Sequence, residues 1–151
     1  MILRALRALA ALSILAVPSL GLAHDFAYGD LRIQHPWARA TTIDRSAGYM
    51  AIANSGATAD VLLSAESEMA GRIELHMTKT EGGVAKMIPL ERVEIPAKKT
   101  ISFQPGGMHL MFMGLKRKLA AHEVVPVTLV FERAGRVGVQ FVVQKSAAGG
   151  H

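Results

Sequence analysis

Apolar residues recur at every second position over most of this chain, and helical spacing is scarce. The stretch "VTLVFERAGRVGVQFVV" shows this best. Val127, Leu129 and Phe131 fall in one phase, and Val137, Val139, Phe141 and Val143 fall in one phase beyond "RAG". A period of two sends alternate side chains to opposite faces of a strand, so one face is built for a core. "DLRIQHPWARAT" begins the same way and carries Pro36. "SAGYMAIANSGATADVLLSAES" predicts two strands about "NSG", and "RIELHMTKTEGGVAKMIPLERVEIP" predicts two more about "TEGG". "KKTISFQPGGMHLMFMGL" adds a pair about "QPGG", and a hairpin about "RAG" closes the domain. Only "SEMAGRIEL" has room for a helical turn. Strands at such regular intervals predict a single all-β domain, an antiparallel sandwich or barrel.

The N-terminus departs from this pattern. "MILRALR" is followed by the apolar "ALAALSILAVPSLGLA", with Gly21 and Ala23 suited to a cleavage site. Residues 1–23 are therefore expected to be a cleaved signal peptide, with an uncleaved anchor as the alternative; the run is short for a membrane span and contains Pro18. The domain then covers 24–145, and "SAAGGH" at 146–151 is expected to be a flexible tail. Removing the leader takes Arg4 and Arg7 from a formal charge of +5. The remainder is mildly basic without a basic stripe, which argues against nucleic-acid binding, and "KRK" at 116–118 reads as a solvated turn. The chain is sent to the periplasm, an oxidising compartment, yet holds no cysteine. Disulfides, thiolate metal sites and cysteine catalysis are excluded.

The chemistry gathers in "GGMHLMFMGL", residues 106–115. On a strand, Met108, Leu110 and Phe112 share the core face, and His109, Met111 and Met113 share the other. Upstream, a hairpin centred between Glu81 and Gly82 sets His76 opposite Met87, on one face. Two segments thus each present one histidine and one methionine. Two imidazoles and two thioethers form a soft, uncharged donor set that favours Cu(I). Zinc is expected to recruit cysteine or carboxylate, and a blue-copper centre needs a thiolate. Methionine is also a common core filler, so periodicity alone leaves a metal site and plain packing both open.

Ten residues separate His76 from Met87, twenty-one separate Met87 from His109, and one separates His109 from Met111. This spacing resembles the His–x10–Met–x21–His–x–Met motif of the periplasmic PCuAC copper(I) chaperones. "GDLRIQHPWARAT", "GYMAIANSG", "GRIELHM" and "VEIPAKKTISFQPGGMHLMFMGLK" are similar to that family too, so the resemblance spans about residues 29–145. It implies a cupredoxin-like antiparallel β-sandwich holding one Cu(I) per chain through His76, Met87, His109 and Met111. It also implies delivery of copper to the CuA centre of cytochrome c oxidase subunit II, often beside a thiol-containing copper chaperone. Lys98 stands where the family's "IPAGKT" turn has glycine, and Met108 where an aromatic is frequent.

Other residues are weighed against blander roles. Met77 is expected to face the core, and Met113 to shield the site or act as an outer thioether. His35 and His122 are expected at the surface, and Trp37 as a core or edge anchor. His24, once N-terminal, has an amine and an imidazole able to chelate Cu(II), with His151 a possible helper. No nucleophile–base pair, paired carboxylates or phosphate loop appears, so an enzyme is not expected. The expectation is a monomeric Cu(I) chaperone with no membrane span after cleavage. A copper-buffering or resistance protein without a dedicated acceptor is the alternative.

Overall fold

Residues 25–145 are described by the structure, a computed structural model; the leader, His24, and the tail with His151 lie outside the described residues. Eleven strands follow one another in this stretch. β1 (Phe26–Tyr28), β2 (Leu31–Arg39), β3 (Arg45–Asn54) and β4 (Asp60–Glu66) come first. β5 (Ala70–Glu81) and β6 (Val84–Leu90) form a hairpin, followed by β7 (Val93–Ile95) and β8 (Thr100–Phe103). β9 (Met108–Leu115), β10 (Val124–Phe131) and β11 (Gly135–Gln144) complete the chain. "SEMAGRIEL" forms a turn and the start of β5 rather than a helical connection.

The sheet closes on itself. Pairings run β5–β9–β3–β2–β11–β10–β4, and Ala65 of β4 meets Ile73 of β5 to complete the ring. The result is an all-β, barrel-like single domain. β6 extends the sheet outside the ring as an edge strand on β5. Pairing is antiparallel except where β11 runs parallel to β2 (Val142↔Trp37) and β8 to β9 (Phe103↔Met108). Local alternation carries no information about which distant strands will meet, or in which direction.

Alternation builds the core as expected. Val125, Val127, Leu129 and Phe131 of β10 and Val137, Val139, Phe141 and Val143 of β11 are buried, with the residues between them more exposed. Phe112, Phe131 and Phe141 anchor the interior, and a fully buried side chain of this kind stabilises by about 1.5–3 kcal/mol. Gly48 makes room for them: a β-carbon there would lie 2.6 Å from the Phe112 ring.

β2 changes phase midway. Its register with β3 shifts between Gln34 and Trp37, and His35 has φ +47°. Leu31 and Ile33 are buried before this irregularity, and Pro36 and Ala38 after it. Such an irregularity re-aims the strand. Trp37 is thereby set opposite Tyr49, with ring centroids 4.6 Å apart. Lys98 adopts φ +61°, a conformation natural to glycine, and its ammonium donates to the Ser55 carbonyl at 2.5 Å.

Candidate metal centre

The β5–β6 hairpin turns one position later than its sequence predicts. Glu81 pairs with Val84, so the two-residue loop is Gly82–Gly83, with φ +56° and +79°. A tight hairpin favours turns with positive φ at both central residues, and adjacent glycines supply that without steric cost. Thr78 therefore stands opposite Met87, and His76 opposite Pro89. This corrects the expected direct His76–Met87 pair. The displacement is two positions along β6, an even number, so Met87 stays on the face of His76. It becomes a diagonal neighbour, at a separation of roughly 7–8 Å that long side chains span.

The direct partner of His76 is His109. The two are opposed in the β5–β9 register, with ring centroids 5.7 Å apart and planes at 73°. One step along, Glu74 opposes Met111. On the far side of β9, Met111 opposes Ala47 of β3. Tyr49 brings its ring centroid to 6.4 Å from that of His109. Three strands thus carry one patch, its side chains all on the face away from Leu75, Leu110 and Phe112.

Each imidazole is oriented by a partner that can only accept. His76 donates from Nε2 to a Glu74 oxygen at 2.8 Å, and His109 from Nδ1 to the Gly107 carbonyl at 3.2 Å. The opposite nitrogens, Nδ1 of His76 and Nε2 of His109, are buried and have no hydrogen-bond partner among the described residues. Burying such an acceptor unpaired costs about 1–3 kcal/mol. Burial also holds the His109 imidazole below the usual histidine range, with the Gly107 hydrogen bond opposing and nearby His76 adding to the effect. His109 is thus kept neutral and its Nε2 lone pair free. The hydrogen bond from His76 holds the Glu74 carboxyl below its usual range, so it remains a charged acceptor.

Exposure differs steeply across the set. His109 is 3% exposed and Met111 9%, whereas Met87 is 57% exposed. Alternation puts His109 and Met111 on the face away from Leu110 and Phe112, yet both are buried. A cleft of about 390 Å³ borders this face, lined also by Arg39–Thr41, Ile43, Arg45–Ala47 and Pro105–Gly106. Met87, His109 and Met111 all line this cleft, with Met87 the exposed member. A larger hollow of about 770 Å³, beside Phe26, Tyr28 and Arg136, contains none of the four.

The remaining candidates separate cleanly. His35 and His122 are exposed, with φ +47° and +74°, and neither lies at the cleft. Met77 shares the face of Leu75 but is 38% exposed near the hairpin end, so it is not the core residue expected. Met113 continues the face of His109 and Met111 and stands opposite both Arg45 and Arg72. No group of three His, Cys, Asp or Glu side chains suited to a metal forms among the described residues. Glu74 was missed by the sequence reading, although its position two residues before His76 places both on one face.

The family model described as "LpqE-like: Putative lipoprotein LpqE-like" matches residues 31–143. The chain belongs to the LpqE-like family. This LpqE-like chain is 32% identical over 102 residues to "Putative lipoprotein Lxx21020" of Leifsonia xyli subsp. xyli, covering 67% of this chain and 61% of that one. It thus spans less than two thirds of that curated relative's length. Among solved structures it is similar to the copper-bound PCuAC domain from PmoF2, with a TM-score of 0.71 and 26% identity over 82% of this chain and 99% of that one. It is similar also to CuI-DR1885 from Deinococcus radiodurans, with a TM-score of 0.59 and 32% identity over 74% of this chain and 76% of that one. The LpqE-like chain therefore has the fold of PCuAC domains.

Proposed function

We propose that this protein is a periplasmic Cu(I) metallochaperone carrying one Cu(I) on His76 Nδ1, His109 Nε2, Met87 and Met111. The observation that carries the reading is the pair of bare, buried ring nitrogens on directly opposed histidines, beside a cleft lined by two thioethers. The donor set is neutral and soft, which matches Cu(I). Similarity to domains solved with copper supports the same cargo, on a framework read as a variant of the cupredoxin-like sandwich.

The exposure gradient supports transfer rather than storage. His109 and Met111 are buried and the His76 side chain is 12% exposed, while Met87, 57% exposed, belongs to an edge strand outside the ring. An incoming thiolate displaces Met87 first, and the ion then passes through states of low coordination without a charged donor having to be protonated. The proposed acceptor is the CuA centre of cytochrome c oxidase, reached directly or through a thiol-containing chaperone. A lipoprotein-named relative supports an envelope location. No cysteine of this chain is available to carry a thioether-linked lipid, so release into the periplasm after leader cleavage is the proposed route.

X-ray absorption at the copper edge of Cu(I)-loaded protein tests the donor set. Sulfur and nitrogen neighbours together are expected; a shell of nitrogen and oxygen alone would refute it.

A further inference from the structure

Resting on this reading of the site, we infer that Glu74 and Arg72 form a relay that positions His76 and keeps the centre selective for a soft ion. The three residues occupy alternate positions of β5 and therefore one face. Glu74 uses both of its oxygens. Oε2 accepts from His76 Nε2 at 2.8 Å, and Oε1 meets Arg72 Nε at 2.8 Å.

The first contact fixes the imidazole. A carboxylate accepts hydrogen bonds only, so the proton stays on Nε2 and Nδ1 is presented to the ion beside His109. Carboxylates behind ligating histidines orient the ring and raise its basicity. The formal negative charge that Glu74 sets against the ring also offsets the charge of an ion whose four donors are neutral. His109 lacks such a partner and is held by the Gly107 carbonyl instead, so the two imidazoles are supported unequally.

The second contact restrains Glu74 itself. Its register position opposes Met111 directly, on the face of both histidines, so a freed carboxylate becomes a competing ligand in this proposal. Two imidazoles and a carboxylate make a set typical of Zn(II). Arg72 holds Oε1 away from that role. The same glutamate therefore serves the soft ion from behind, and its tether keeps it from serving a hard one in front.

The test uses the mature protein with Cu(I) and Zn(II) as probes. Competition with a chromophoric chelator should show Glu74→Ala binding Cu(I) roughly 10- to 100-fold more weakly, the usual cost of losing such a support. Glu74→Gln, which keeps the shape and the acceptor but not the charge, should fall between. Long-range nitrogen–proton NMR should show His76 protonated at Nε2 without metal and perturbed at Nδ1 on adding Cu(I); in Glu74→Ala the perturbation should spread to Nε2. Arg72→Ala should gain affinity for Zn(II), and Arg72→Lys should not. Native Cu(I) affinity in Glu74→Ala, copper on Nε2 in the native protein, or unchanged Zn(II) affinity in Arg72→Ala would each overturn the relay. The underlying site is judged separately. If His76→Ala and His109→Ala also bind Cu(I) normally, the copper reading itself fails; if they lose it while Glu74→Ala does not, only the relay fails.

Discussion

His76 and His109 stand directly opposite one another on adjacent strands, their rings 5.7 Å apart and nearly perpendicular. Neither needs the other for hydrogen bonding, because Glu74 and Gly107 satisfy the far nitrogens. What they share is one buried nitrogen each, Nδ1 of His76 and Nε2 of His109, without a partner among the described residues.

Removing either imidazole is expected to weaken Cu(I) by more than the roughly 10- to 100-fold typical of supporting residues. His35→Ala, at an exposed position in β2, should bind as the native protein does. Chelator competition on the three variants checks this, and uniform affinities would remove both histidines from the site.

Met87→Leu separates sulfur from stability. The side chain is 57% exposed, so apo unfolding in urea should change by no more than about 0.5 kcal/mol. Cu(I) affinity should still fall, and the sulfur count at the copper edge should drop by one. Met111→Leu should lose affinity in the same way, since leucine preserves volume at a buried position. Two variants that bind like the native protein would show that thioethers are not donors here.

The Gly82–Gly83 loop should act on the metal from a distance. Gly83→Val forces a β-branched residue to φ +79°, at a cost of about 1–3 kcal/mol. Urea denaturation should register this, and Cu(I) affinity should fall with it because the loop sets the register of Met87. Gly83→Asn, which tolerates this conformation, should spare both. Destabilisation without any change in binding would mean that the hairpin register is irrelevant to the site.

Gly48→Ala should damage the core and leave the chemistry alone. The added methyl would meet Phe112 at 2.6 Å and Phe141 at 3.1 Å, and such overpacking costs about 1–3 kcal/mol. The urea midpoint should fall accordingly while folded protein keeps native Cu(I) affinity. A midpoint equal to the native one would show that the rings yield freely.

Much of this was readable from alternation. It separates Leu110 and Phe112 from His109 and Met111, and it assigns Met87 to the face of His76 even though the hairpin register was misread. Parity survives a two-position error. What local pattern does not carry is pairing at a distance. The His76–His109 opposition depends on β5 lying beside β9, more than thirty residues later. The cleft beside His109 is lined partly by residues between 39 and 47, whose sequence says nothing of which histidine they will meet. Glu74 looked like an ordinary outward residue of an alternating strand, and only its hydrogen bonds reveal its use. Lys98 is the converse case: its departure from the family's glycine was visible in sequence, and the structure supplies the reason, a left-handed backbone that glycine adopts more readily.

The ring is held at its seam by the Ala65–Ile73 pair, whereas β5 is joined to β9 at seven positions. Breathing of the barrel should therefore begin where β4 parts from β5, with β5, β6 and β9 moving as one leaf. Amide exchange would be quick along that margin and slow between the two imidazoles. The protein can flex by its weakest edge while its cargo stays gripped within a single stiff panel.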